Sequence, residues 1–343
     1  MKKSLLALAV SAAAFTGSAS AAEILKTDDA SVDFYGQLRT EMRFMDADDY
    51  NADLSTGSSR VGVDAKYDFT DSFGVLGLVE VGVPANDSDD VTVRRHMVGF
   101  ATDFGTIQFG KDWTTSDDLG GTDYSYFFGG TGNLYGQLNG ALSDSQIKYS
   151  LDLDNWWVKA TYGLNDSSNH QDLAEGFVGA SFGAFSFHAG GGYNRNHEYA
   201  VGSGTMTMDV SNTYYEVTGI FDVTDALQLS ATYYGSQVED NDSDFDADQN
   251  AISVGGYWTF VEKTSLYAGY EYVKQDAGDY GDEDGNNAFV GVEYKFASWA
   301  RVFAEVGYAD GSTLGFVDEN DNLIGPATAD SETNFGIGAR VYW

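Results

Sequence analysis

From Ser31 onward, apolar and polar residues alternate along the chain with a period of two. Val32, Phe34, Gly36, Leu38, Thr40, Met42 and Phe44 share one face, and Asp33, Gln37, Arg39, Glu41 and Arg43 share the other. Val61, Val63, Ala65, Tyr67 and Phe69 likewise oppose Arg60, Gly62, Asp64, Lys66 and Asp68. The theme recurs late in the chain, where Val302, Ala304, Val306 and Tyr308 alternate with Arg301, Phe303, Glu305 and Gly307. It closes with Phe335, Ile337, Ala339, Val341 and Trp343 against Asn334, Gly336, Gly338, Arg340 and Tyr342. Such alternation is the signature of strands with two unlike faces. The connections carry a second pattern. Tight links fall near residues 70–72, 103–105, 154–155, 183–184, 223–225, 261–263 and 297–298. Longer polar links fall between them, near 46–57, 84–90, 112–140, 166–174, 195–209, 238–248, 275–286 and 311–332. Seven short turns and eight long loops predict sixteen strands, with both chain ends on the short-turn side.

A soluble sandwich would also alternate, so the fold rests on which face carries the charge. Lys159, Glu216, Glu271, Glu293 and Arg340 fall on the polar face in mid-strand. In a wide barrel that face lines a wet lumen and the apolar face meets lipid. About sixteen strands leave an aqueous channel, whereas about eight fill with side chains. The expected fold is all-β: one 16-stranded antiparallel transmembrane barrel over residues 22–343, with no linker or second domain. Tyr67, Phe69, Trp156, Tyr162, Trp258, Phe260, Phe296 and Trp299 are expected to form an interfacial girdle at the short-turn end.

One stretch breaks the pattern. Residues 111–140 lack a clean strand period but hold Trp113, Tyr124, Tyr126, Phe127, Phe128 and Tyr135, with the acids Asp117, Asp118 and Asp123 among them. An unpatterned insert of this length in a compact fold is usually functional or disordered, and its aromatics argue against disorder. It is expected to fold inward and narrow the pore, the alternative being an exposed surface flap.

The N-terminus is a targeting segment. Lys2 and Lys3 precede an apolar run from Leu5 to about Phe15, and Ala19-Ser20-Ala21 supplies a small-residue cleavage site. The run is too short to cross a bilayer as a helix, so residues 1–21 are expected to be removed and the chain exported. Cysteine is absent, which excludes a disulfide framework. The formal charge is −35, and it becomes −37 without Lys2 and Lys3. That sign argues against nucleic acid as a partner. The acids crowd into patches near residues 46–49, 87–90, 239–248, 276–284 and 318–321. Most such residues are solvated loop tips. Divalent cations bridging them to phosphate-bearing lipid headgroups are a further expectation, although no patch has the spacing of a calcium loop.

No cofactor, metal or catalytic site is expected. His96, His170, His188 and His197 do not form a metal spacing. Ser186 and His188 lie two apart on one strand, with no nucleophile elbow and no orienting acid at telling spacing.

With these features in place, the mature chain resembles the general (non-specific) trimeric porins of Gram-negative outer membranes. The marks are Val32-Asp33-Phe34-Tyr35-Gly36, Ser59-Arg60-Val61-Gly62, Val93-Arg94-Arg95-His96-Met97-Val98-Gly99 and Gly105-Thr106-Ile107-Gln108-Phe109-Gly110-Lys111, then a C-terminal strand ending in an aromatic. The resemblance implies that the third long loop sits at mid-height, its acids facing a ladder of bases on the wall. The run from Asp117 to Asp123 followed by Phe128-Gly129-Gly130 is similar to that loop. Asp123 lies where a constriction acid is expected, and Phe127 where a second acid often lies. Arg60 and Arg94 match family arginines. The sixth strand, which normally adds one, offers only Lys148, and Trp343 replaces the usual terminal Phe. Independently of the family, alternation puts Arg39, Arg43, Arg60 and Arg94 on the polar face of neighbouring strands. The expected constriction set is Asp123, Asp117, Asp118, Arg39, Arg43, Arg60, Arg94 and Lys148.

The expected function is a water-filled channel in the outer membrane, passing small hydrophilic solutes and ions by diffusion with a modest preference for cations. The alternative is a structural or adhesive barrel that does not conduct. Outer-membrane lipid, lipopolysaccharide and further copies of the chain are the expected partners. The resemblance implies a homotrimer, and Arg95, on the otherwise apolar outer face by alternation, is consistent with a buried subunit contact.

Overall fold

The computed structural model describes residues 22–45, 52–83, 91–120, 124–130, 138, 141–164, 171–201, 206–278, 281–313 and 327–343. The strands are β1 (Ala22–Lys26), β2 (Ala30–Phe44), β3 (Asp53–Ser55), β4 (Arg60–Thr70), β5 (Phe73–Gly82), β6 (Val93–Thr102), β7 (Gly105–Trp113), β8 (Leu142–Asp152), β9 (Trp156–Gly163), β10 (Gln171–Phe182) and β11 (Phe185–Val201). They continue as β12 (Met206–Thr224), β13 (Leu227–Asp240), β14 (Asp246–Val261), β15 (Thr264–Asp276), β16 (Asp282–Ala297), β17 (Ala300–Thr313) and β18 (Ala327–Tyr342). A five-residue helix, α1 (Thr115–Leu119), follows β7.

From β4 onward each strand pairs antiparallel with the next, and β18 returns to pair with β2. Sixteen strands therefore close into a barrel; β1 and β3 are short additions to the two sides of β2. Closure satisfies the backbone of every barrel strand within the sheet, the condition for crossing lipid without helices. No described helix is long and apolar enough to cross a membrane. The seam is finished by Trp343, whose backbone exchanges hydrogen bonds with Gly36 at 2.9 and 3.1 Å. The Trp343 ring packs against that glycine, where a Cβ would clash with it.

The pairing puts Val63, Val79 and Val98 on one face, all exposed, and Glu80, Arg95 and Met97 on the other. The same division runs round the barrel. Glu41, Glu175, Glu216, Glu271, Glu293 and Glu305 are buried on the inner face, while large apolar residues stand exposed on the outer one. Aromatics band the outside at both ends. Tyr67, edge-on to Phe69, leads into a stacked run of Phe69, Phe73 and Phe100 near the 71–72 turn. Phe185 with Phe221 and Trp258 with Phe260 continue that band. Tyr162 does not belong to it: it lies at the other end of β9 from Trp156, toward the long loops. Tyr193, Tyr215, Tyr233, Tyr270 and Tyr308 are exposed at that end and make a second, tyrosine-rich band. Amphipathic rings gather at both membrane interfaces in this way.

Three further differences from the alternation reading have physical causes. β1 pairs back on residues 31–34 through a tight turn that its few residues did not advertise. β11 and β12 run into what reads as loop, because Asn194, Arg195 and Asn196 still pair with Asn212, Ser211 and Val210, and after a bulge the ladder resumes from Tyr199 to Val201. Arg95 is not on the outer face. The register slips between Glu80↔Arg95 and Val81↔Val93, so Arg94 is the extra residue of a β-bulge. A bulge turns its strand locally, and here both arginines reach inner-face carboxylates while His96 takes the exposed outer position. The outward arginine that had favoured a subunit contact is therefore absent.

Candidate functional site

The inner face is divided electrostatically. β18, β2, β4, β5 and β6 form an arginine wall. Arg39 and Arg340 are register partners across the β2–β18 seam, Arg43 lies four residues further up β2, and Arg60 opens β4. Glu41 accepts from Arg340 at 3.2 Å and has Arg43 at 3.7 Å. Glu80 has Arg94 at 3.2 Å and Arg60 at 3.6 Å. Among the described residues Arg39 pairs with no carboxylate, and the Nε atoms of Arg39, Arg43 and Arg340 are buried without a hydrogen-bond partner. The four arginines expected from alternation thus do come together. Arg340, which alternation shows only as a mid-strand charge, is a fifth member.

Lys148 stands apart from them. It reaches the buried Asp112 at 3.4 Å, donates to the Trp113 carbonyl at 2.9 Å and forms an ion pair with Asp118. Arg95 donates to both carboxylate oxygens of the same Asp112, at 2.5 and 3.1 Å. Asp112, only 1% exposed, is therefore the hub of this cluster. Sequence reasoning passed over it because it sits at the end of a regular strand.

The residues after β7 explain how the unpatterned stretch is held. Thr114 caps α1, its hydroxyl accepting from the Asp117 N–H at 3.3 Å, and Gly120 ends the helix at φ +61°. A cap of this kind satisfies a donor that the helix leaves free. The Glu175 carboxylate of β10 accepts from the Thr115 N–H, from the Ser116 N–H at 3.3 Å and from the Tyr214 hydroxyl at 2.7 Å. Thr115 also bonds Thr161 of β9 at 2.7 Å.

Residues 124–130 meet the inner face of a different set of strands. Glu305 of β17 accepts from the Ser125 hydroxyl at 2.6 Å, the Tyr126 N–H at 2.7 Å and the Phe128 N–H at 2.9 Å. Glu271 of β15 accepts from the Gly130 N–H at 3.0 Å. Tyr124 donates to Gln228 of β13 at 2.9 Å. Tyr126 donates to Glu293 of β16 at 2.5 Å and accepts from Arg301 at 3.0 Å. Burial, and after it the Glu293 carboxylate, hold the Tyr126 hydroxyl well above its ordinary pKa, so it stays a donor. The aromatics are seated over glycines: a Cβ at Gly255, Gly307 or Gly336 would strike Tyr124, Phe128 or Phe127 at 2.7, 2.5 and 2.5 Å. The Phe127 ring also lies under Arg43, whose guanidinium carbon is 5.5 Å from its centre.

Asp117 and Asp118 are thus a first-turn residue of α1 and a Lys148 partner. Asp123 lies outside the described residues. The anchoring glutamates Glu175, Glu271, Glu293 and Glu305 are the functional residues that reading for a constriction missed. Their signal was present, as buried-face carboxylates in mid-strand, but nothing in it named their partners. Among the described residues no group of His, Asp and Glu converges as a metal site. The acidic patches at 46–49, 87–90 and 318–321 lie outside the described residues.

Comparison with known proteins follows the same lines. The sequence profile described as Gram-negative porin matches residues 7–314. The in-vitro folded OmpT of Vibrio cholerae, an outer-membrane protein, is 50% identical; the match covers 94% of this chain and 100% of that one, with a TM-score of 0.87. A trimer form of the same protein is 50% identical over 92% of this chain and 100% of that one, with a TM-score of 0.86. A major outer membrane protein of Pasteurella multocida is 26% identical over the full length of both chains.

Proposed function

From the premise that this chain belongs to the Gram-negative porin family, we propose that residues 111–140 narrow its channel and set what passes. The channel itself comes with the family. The chain forms a water-filled pore in the Gram-negative outer membrane, through which small hydrophilic solutes and ions diffuse passively. Its relatives are channels rather than enzymes.

The observation that carries the proposal is the pair of anchor points. α1 is tied to Glu175 on β10, and residues 124–130 are tied to Glu305 on β17, seven strands further round a ring of sixteen. A segment bonded to inner-face carboxylates on nearly opposite walls supports a reading in which it lies across the lumen. Backbone N–H groups on charged carboxylates make the stronger class of hydrogen bond, suited to holding such a segment against flowing solvent. The flap alternative strips these buried carboxylates of the donors that the segment supplies.

Three finer readings go with it. The removal of residues 1–21 as a signal peptide follows from their composition. Assembly as a homotrimer is favoured by the trimer form of the V. cholerae relative. Cation preference rests on the charge of −35 and on a low-dielectric wall that focuses it onto passing ions. The arginine wall opposes it, so the preference is modest and shrinks as salt screens the mouth over ~8 Å at physiological strength. In a potassium chloride gradient across a planar bilayer, the reversal potential of the wild type should have the cation sign. Asp123→Asn should move it toward zero with conductance little changed, and Asp242→Asn at a loop tip should move it much less. A shift from the tip variant alone would show that residues near 123 are not the selectivity element.

A further inference from the structure

We propose that Phe127, with the arginines beside it, forms a retention site for aromatic carboxylates inside the channel. The inference rests on the reading that residues 124–130 line the lumen.

Three observations combine. The first is charge. Five guanidinium groups, Arg39, Arg43, Arg60, Arg94 and Arg340, gather around two carboxylates, Glu41 and Glu80, which pair with four of them. This is a local excess of positive charge inside a chain of net charge −35. The second is unspent donor capacity. Arg39 has no carboxylate partner among the described residues, and Arg43, whose side chain is 43% exposed, has only Glu41 there, at 3.7 Å. A solute carboxylate accepts from guanidinium groups in a fork that a chloride ion cannot match. The third is the surface next to those donors. Arg43 sits over the Phe127 ring at 5.5 Å, and Arg340 sits over Tyr126 at 4.5 Å and over Phe303 at 5.1 Å. Phe127 is held in place rather than free to swing. It rests on Gly336, lies 5.3 Å from the Phe303 ring and is partly exposed.

A ring at this position changes what the arginines can do. A carboxylate there would neutralise Arg43 and turn anions away. A phenyl ring leaves the positive charge uncompensated and adds an apolar face within reach of it. A solute with a carboxylate and an aromatic ring satisfies both surfaces at once. Acetate satisfies only the arginines, and an aromatic amine is repelled by them. Small inorganic cations are untouched by this preference, because they need only the net field of the mouths and not a docking surface.

The test is reversible block of single channels at low salt by phenylacetate, acetate and phenethylamine at equal concentration. Phenylacetate should block the wild type at roughly three- to tenfold lower concentration than acetate, the size expected for a favourable ring contact, and phenethylamine should block least. Phe127→Leu keeps the site apolar and should bring phenylacetate down to the level of acetate. Arg39→Gln should weaken both anions together. Heat-modified gel mobility checks that each variant is folded. Equal block by phenylacetate and acetate in the wild type would overturn the proposal, as would a phenylacetate preference that survives Phe127→Leu. The underlying reading is judged separately, by attaching a charged thiol reagent to Phe127→Cys. If labelling changes conductance while phenylacetate shows no preference, the segment lines the lumen and the retention site alone is wrong. If labelling changes nothing, the lumen reading itself has failed and the retention site falls with it.

Discussion

Replacing Glu305 with Ala is expected to widen and destabilise the channel without unfolding the barrel. Glu305 is 1% exposed and accepts three hydrogen bonds from residues 125–128. Its removal leaves two backbone donors and a hydroxyl facing a small void. Each buried group left unsatisfied costs about 1–3 kcal/mol. Ser125 offsets part of this, because its hydroxyl also accepts from the N–H groups of Phe127, Phe128 and Gly129 at 3.0, 2.8 and 2.7 Å. The segment is thereby preformed as a tight turn, and what Glu305 supplies is its attachment. The remaining ties, from Gly130 to Glu271, Tyr126 to Glu293 and Arg301, Tyr124 to Gln228 and the Phe128 carbonyl to Asn287, are expected to hold it only intermittently. Single-channel recordings should show a larger mean conductance with frequent flicker, while the circular dichroism of the strands is unchanged. Glu305→Gln should be intermediate, since one amide oxygen can keep part of the set. A Glu305→Ala channel as quiet and as narrow as the wild type would mean that this carboxylate does not hold the segment.

The largest loss of stability is expected from Asp112→Ala. Asp112 balances Arg95 and Lys148, whose side chains are 25% and 11% exposed. Removing one partner of a buried ion pair costs about 3–5 kcal/mol because the other charge stays behind unpaired. Here two cations would be left within one small region. Asp118 pairs with Lys148 and relieves that one, whereas Arg95 has no second carboxylate partner among the described residues. The bulge at Arg94 should relax with it, since it presents Arg95 to Asp112. Urea unfolding in lipid vesicles should show a clearly lowered midpoint for Asp112→Ala. Asp112→Ala with Arg95→Met, which removes the stranded charge, should recover part of the loss. An unchanged midpoint in the single variant would show that the cluster is solvated rather than buried.

These two residues also mark where reading the sequence stops. Strand number, most face assignments and the grouping of Arg39, Arg43 and Arg60 follow from a period of two and from the lengths of connections, both of which are local; Arg94 joins them only through the bulge. The bulge is not local in that sense. Val98 and Phe100 share the outer face with His96, and continuing that parity would turn Arg94 outward. One inserted residue reverses the parity, and two adjacent arginines give no sign of which is extra. The anchoring of residues 124–130 is harder still. Glu305 is 180 positions from Ser125, and a lone mid-strand glutamate reads equally well as a solvated lumen charge. The glycines that seat the loop aromatics are intelligible only once the rings are known to lie on them. Asp112 and Glu175 escaped for the opposite reason, being regular strand residues whose importance comes wholly from what another element brings to them.

The account turns on one claim, that residues 124–130 lie in the path of solutes. The chain has no cysteine, so a single Phe127→Cys substitution gives one labelling site per copy. A bilayer-held Phe127→Cys channel exposed to a positively charged methanethiosulfonate reagent should lose conductance in discrete steps, one for each copy labelled. The reversal potential should move toward anions at each step. Complete labelling, verified by mass, with conductance and reversal potential both unaltered would contradict the account and return the segment to the outer surface.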